Sequence, residues 1–242
     1  ASHDLRNELF RDPAYRQQFR QDVDKRFGPR VWHRDFADAW IVACPDASVV
    51  GKTVGELART RQQHPGDLFL DLLVEHGPHL RWRTVLANHR PEVVAKLVAE
   101  PSTLIGFADS GAHIRNMAFY NFALRFLKLV RDAQATSKPV MPLEKAIWRL
   151  TGELGEWFGV DAGLLAIGKR ADLVVIDPTK LDDSLSQYQE APMEAFGGLQ
   201  RMVNRGSAVD CVLINGRIAF ADDNFAEDLG KTRGFGQFLR AG

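Results

Sequence analysis

Apolar and polar positions along this chain follow two regimes. Up to about residue 160 they suit helices separated by short apolar runs. Beyond about residue 170 they form short strand-like runs punctuated by Pro, Asn and Gly. Residues 5–30, with Arg6, Arg11, Arg16, Arg20, Asp22 and Asp24, read as a polar helical stretch with few core anchors. Residues 31–44 end in an apolar run of strand character. Lys52–Arg61 and Leu68–His76 read as two short helices joined by His64-Pro65-Gly66, with Leu68, Leu72 and Leu73 at helical spacing. Residues 80–87 switch to a strand-like period. Asn88-His89-Arg90-Pro91 then opens a helix: Pro91 suits the first helical position, and Val93, Val94, Leu97 and Val98 supply one apolar face. Leu104–Ala108 reads as a second strand. Strand, loop, helix and strand in that order predict a βαβ unit with parallel pairing and a right-handed crossover.

Long helices are predicted from about Met117 to Asp132 and from Pro142 to Phe158, the latter with Leu143, Ala146, Ile147, Leu150 and Leu154 on one side. Ala171–Pro178 is a short strand closed by proline. Residues 209–220 hold Asn215-Gly216 between apolar runs, the pair that a two-residue hairpin turn with positive backbone angles selects. α/β material therefore gives way to a β-rich tail, with no internal repeat and no low-complexity segment.

Composition narrows the function classes. The chain has 242 residues, enough for a sizeable core in one large or two small domains. Lys plus Arg and Asp plus Glu number 31 each, which argues against a nucleic-acid footprint or a membrane-surface patch. No apolar stretch is long enough to span a bilayer, and the first residues form no apolar signal segment. Cys44 and Cys211 match neither a disulfide nor a metal spacing, and a reducing cytoplasm is the simplest setting for them. A first residue of Ala rather than Met hints at a processed or shortened product.

The richest stretch for chemistry is Leu104–His113, an apolar run that ends in Asp109 and continues Ser-Gly-Ala-His. In barrel enzymes the chemistry sits where buried parallel strands end. A carboxylate there, with Gly111 and Ala112 beside it, is placed to bind a metal or move a proton. The alternative is an aspartate that caps the following helix.

Gly106-Phe107-Ala108-Asp109-Ser110-Gly111-Ala112-His113 resembles the eighth-strand signature of metal-dependent amidohydrolases. Leu150-Thr151-Gly152-Glu153, Phe158-Gly159-Val160 and Gly168–Pro178 are similar to that superfamily's return from barrel to β-sandwich, and Val212–Arg217 resembles its closing hairpin. Gly51–Ala58 and Asn88-His89-Arg90-Pro91 fit the N-acyl-D-amino-acid deacylase (D-aminoacylase) branch best. The match covers most of residues 45–220.

This resemblance implies an α/β fold: the C-terminal part of a TIM-like (β/α)8 barrel over residues 1–165, followed over 166–242 by a β-rich tail belonging to a small β-sandwich. It also implies a divalent metal, zinc in most such enzymes, that activates water against an amide carbonyl. Asp109 matches the residue that touches metal and water and carries the proton to the leaving nitrogen. His113 is open to orienting Asp109, touching substrate or a structural role. Arg115 is the first candidate for the carboxylate of an N-acyl amino acid substrate, because guanidinium binds carboxylates bidentately. Asn88 and His89 sit where rim contacts to substrate gather, although Asn88 equally suits a helix cap. Trp82 and Trp148 read as core, Asp172 and Asp177 as structural.

The family's His-X-His pair is absent: the histidines are His3, His33, His64, His76, His79, His89 and His113. The chain thus resembles the C-terminal half of such an enzyme, with the remaining metal ligands expected on a missing N-terminal half or partner chain. Homo-oligomerisation is compatible with the sequence. Two other readings stay open: a catalytically incomplete fragment or interaction subunit, since a partial barrel leaves open strand edges, and a cyclic-amide hydrolase of the same superfamily.

Overall fold

The computed structural model describes residues 3–25, 35–106, 108, 120–187, 189–194, 197–203 and 206–241, with Leu199–Val203 described by its backbone. The chain forms two compact units, Ala1–Pro91 and Glu92–Gly242.

In the first unit the polar helical stretch at the N-terminus is two helices, α1 (His3–Arg11) and α2 (Pro13–Asp24). The break has a local cause. Asp12 accepts the Tyr15 N–H at 2.7 Å as N-cap, and Pro13 occupies the first helical position. The stretch is also anchored, contrary to expectation. Phe19 and Val23 pack on the core, and Arg16 and Arg20 pair with Asp71 and Asp67 on α4 (Pro65–His76). Strand β1 (Trp40–Ala43) leads to α3 (Val54–Arg61), which opens with a capping box: Thr53 Oγ1 accepts the Glu56 N–H, and the Glu56 carboxylate accepts the Thr53 N–H. His64 caps α4, its Nδ1 accepting the Gly66 N–H at 3.0 Å.

Strand β2 (Arg81–Arg83) pairs antiparallel with β1, placing Trp82 opposite Ile41. Both side chains join the first unit's core with Phe36, Leu68 and Phe69. Phe69 meets Phe36 at 4.6 Å and the edge of Trp82 at 4.9 Å between ring centroids. This pairing overturns the expected βαβ unit. β2 is tied to β1 by the burial of Ile41 and Trp82, and Leu104–Gly106 and Ala108 lie in no strand. Every named strand pair among the described residues is antiparallel. The mixture of helix and strand and the β-rich tail are present as expected.

Helix α5 (Pro91–Ala99) leads into the second unit. Helices α6 (Phe122–Gln134) and α7 (Leu143–Leu150) pack Phe126, Leu127, Val130 and Ala146 with Leu181, Leu185 and Ala208, and Val98, Ile105 and Ile176 close against them. The compositional change near residue 170 therefore falls inside one compact unit. The predicted helix over 142–158 is two, because Thr151 (φ −132°, ψ −83°) separates α7 from α8 (Gly152–Phe158). Glycine makes this junction. A Cβ on Gly152 would stand 2.7 Å from the Trp148 ring, and one on Gly155 2.3 Å from the Ala162 carbonyl oxygen.

Strand β3 (Leu173–Ile176) pairs with β6 (Val209–Ile214), which continues through β7 (Arg217–Ala221) to β8 (Asn224–Phe225) in a sheet ordered β3-β6-β7-β8. Asn215 and Gly216 both have positive φ (52° and 77°), as the predicted tight hairpin requires. A separate hairpin, β4 (Gln189–Met193) with β5 (Leu199–Val203), was not foreseen.

Candidate active site

Asp109, His113 and Arg115 lie outside the described residues, whereas the polypeptide leading to them is described. Ile105 packs against the second unit's core, and Leu104 is half-buried. The anchor of this approach is Arg149, 1% exposed on the inner face of α7. Its Nη1 donates to the Val98 carbonyl at the end of α5, its Nη2 donates to the Thr103 carbonyl, and its Nε donates to Glu153 Oε2 at 2.9 Å. One guanidinium thus satisfies a helix-terminal carbonyl, the chain six residues before Asp109 and a carboxylate on α8. Gly106 lies against Leu154, whose Cδ atoms would stand 3.3 Å from a Cβ at that position. Gly106 and the α8 residue that follows the Leu150–Glu153 motif are therefore neighbours.

Beside this segment is a surface cleft of about 560 Å³, lined by Pro101, Ser102, Leu104, Glu153, Glu156 and Trp157. The Glu153 carboxylate is engaged by Arg149, so Glu156 and the exposed Trp157 indole are the groups it offers to a visitor. Sequence reasoning passed over Arg149 and Glu153. The available signal was an arginine three residues after Ala146, on the apolar side of α7, with a carboxylate four residues beyond it.

Asn88 and His89 are exposed on the connection between β2 and α5, within the first unit. Asn88 holds the left-handed conformation (φ 56°), which asparagine tolerates better than most side chains. Trp82 is a core residue, as expected. Trp148 is half-buried, with Lys145 Nζ 3.6 Å from its ring centroid.

Asp172 and Asp177 have the structural roles expected of them. Asp172 accepts from Arg170 and, at 2.7 Å, from the Asn215 N–H, tying the start of β3 to the hairpin turn. The Arg170 guanidinium, then the Asn215 N–H, hold its carboxyl below the usual carboxylate range. Asp177 caps the 3-10 turn after β3, and its bonds from Thr179 likewise lower its pKa. Among the described residues no three His, Cys, Asp or Glu side chains stand close enough to hold a metal ion. Cys44 and Cys211 are free thiols, and no helix among the described residues is long and apolar enough to cross a membrane.

No family model matches the sequence. An uncharacterized protein of Mycobacterium bovis and one of Mycobacterium tuberculosis are each 50% identical to the chain over 244 residues, a match covering 98% of the chain and 40% of the relative. The chain thus spans well under half the length of these relatives. Among solved structures it is similar to a D-aminoacylase described as defining a subset of amidohydrolases (22% identity, TM-score 0.46, 84% of this chain and 37% of that one). It is also similar to an N-acyl-D-glutamate deacylase of Bordetella bronchiseptica, solved with zinc and a phosphonate inhibitor (21% identity, TM-score 0.44, 86% of this chain and 38% of that one).

Proposed function

We propose that these 242 residues are the C-terminal part of a metal-dependent amidohydrolase that removes the acyl group from N-acyl-D-amino acids. The observation that carries this reading is the join between the approach to Asp109 and the α7–α8 junction. Gly106, opening the Asp109 motif, packs on Leu154, and Arg149 clamps Thr103 beside Glu153. A buried guanidinium thus anchors, at Thr103, the segment that leads to Asp109, and proton transfer requires a carboxylate held in one place.

In this reading Asp109 takes a proton from water and returns it to the leaving nitrogen, and Arg115 receives the substrate carboxylate. His113 orients Asp109, and Asn88 and His89 line the rim. A divalent cation, zinc by resemblance, would lower the pKa of the water and polarise the amide carbonyl. The sequence has no His-X-His pair, so the reading assigns Asp109 to the cation and expects the other ligands on polypeptide beyond this chain. Residues 1–165 then belong to the barrel and 166–242 to the β-sandwich. The two free thiols favour a reducing, cytoplasmic setting.

The test is Asp109→Asn in the longest natural polypeptide that contains these residues, loaded with zinc and assayed on N-acyl-D-amino acids. Turnover is expected to fall by about 10²–10⁴-fold with the circular-dichroism spectrum unchanged. Unchanged turnover removes Asp109 from the mechanism. Hydrolysis of cyclic amides in place of N-acyl amino acids would redirect the assignment within the superfamily.

A further inference from the structure

Large apolar side chains stand exposed on α7, α8 and the residues after them. Trp157 is 69% exposed, Leu165 84% and Ile167 fully, with Ile147, Phe158 and Leu164 also outside the core. This is not a loose tail. The Ala162 carbonyl lies on Gly155, the Thr151 carbonyl on Gly163, and Leu164 on Gly152, so residues 160–164 are laid along α8 by glycine contacts and lead directly to Leu165 and Ile167. A fixed scaffold that presents side chains of this size to water is a surface shaped for a partner.

Relatives 50% identical across nearly all of this chain carry about 60% of their length outside the matched span. From these two observations we infer that the surface formed by Ile147, Trp157, Phe158, Leu164, Leu165 and Ile167 is the docking face for that remaining polypeptide. The inference rests on the reading that the chain works as part of a longer protein, and it assigns the contact surface.

The test mixes this chain with the unmatched portion of the Mycobacterium tuberculosis relative, made as a separate polypeptide, and measures association by calorimetry and sedimentation. A one-to-one complex is expected. Leu165→Glu with Ile167→Glu should weaken it by about 30-fold or more, leaving this chain's own thermal midpoint unchanged because both side chains are already exposed. Equal binding by the double variant would overturn the assignment. Self-association of this chain, abolished by the same variant, would give the surface to a second copy and overturn the assigned occupant.

If the separate portion does not fold, amide hydrogen exchange decides. The segment matching 160–167 should exchange about a hundredfold more slowly in the intact relative than in this chain, and equal exchange overturns the inference. Binding is read without turnover. A complex that forms without hydrolysing N-acyl amino acids would sink the hydrolase reading and leave this surface standing.

Discussion

Arg149 and Glu153 form a buried ion pair, Nε to Oε2 at 2.9 Å, with their side chains 2% and 13% exposed. They lie four positions apart, yet Thr151 breaks the helix between them, so the pair bridges α7 and α8 across the junction. The same guanidinium donates to the Val98 and Thr103 carbonyls. It is a single cation holding four pieces of chain: the end of α5, the approach to Asp109, and the two helices.

Arg149→Met is therefore expected to be costly. It leaves the Glu153 carboxylate without its cation and two carbonyls without donors, and removal of one partner of a buried pair costs about 3–5 kcal/mol. Arg149→Met with Glu153→Leu removes both charges and should recover part of that loss. Urea unfolding of the two variants checks this, and equal stability of the single variant and the parent would show that the pair contributes nothing.

The glycines after the junction make a controlled comparison. Gly163 (φ 86°) and Gly168 (φ 84°) share a left-handed backbone, but a Cβ at Gly163 would stand 2.4 Å from the Thr151 carbonyl oxygen, whereas Gly168 faces open space. Gly168→Ala should cost about 1 kcal/mol from backbone strain alone. Gly163→Ala adds a collision with backbone that cannot rotate away, about 2–4 kcal/mol in all. Thermal unfolding separates them, and equal costs would mean that the 160–167 segment is free to shift.

These glycines also show why parts of the fold could be read from sequence and others could not. Asn215-Gly216 and Pro91 act through their immediate neighbours, so their turn and helix start were legible, whereas the equally local capping box of Thr53 and Glu56 was not read. The split at Thr151 depends on Gly152 meeting Trp148 and Gly155 meeting Ala162, contacts that a helical periodicity does not encode. The expected βαβ unit failed for a related reason: the apolar period of 80–87 specifies a strand, but its partner is chosen by Trp82 and Ile41 sharing a core. Of the candidate site, Asp109 was legible as a carboxylate ending an apolar run. The Arg149 clamp behind it was not, because a lone arginine in a helix is usually a surface residue.

Asp172 provides a pH-dependent test. Arg170 and the Asn215 N–H lower its pKa in the folded chain. A carboxyl whose folded pKa lies below its unfolded value stabilises the fold above the unfolded value, near 4, and that contribution is lost as pH falls through the folded one. Asp172→Asn should thus lower the thermal midpoint at pH 6, and the gap to the parent should close as the pH is taken below about 4. A gap independent of pH would assign the effect to lost hydrogen-bond geometry instead of charge. The side chain is 40% exposed, so added salt should narrow the gap at pH 6 as well.

The two ion pairs between α2 and α4 differ in what each leaves behind when broken. Arg20 Nη1 meets Asp67 Oδ2 at 2.6 Å, and Asp67 is 13% exposed at its side chain with Oδ1 buried and unpartnered. Arg16 Nη2 meets Asp71 Oδ1 at 2.5 Å, but Asp71 is 40% exposed and also accepts from Gln63 Nε2. Arg20→Ala therefore strands a buried carboxylate, at about 2–3 kcal/mol. Arg16→Ala leaves a solvated carboxylate with a remaining donor and forfeits the bond to the Phe10 carbonyl, about 1 kcal/mol in all. Adding Asp67→Asn to Arg20→Ala removes the stranded charge and should restore stability, while Asp71→Asn added to Arg16→Ala should restore little. Chemical unfolding of the four variants supplies the comparison. If Arg16→Ala proves as costly as Arg20→Ala, burial of the acid is not what sets the strength of this helix pair.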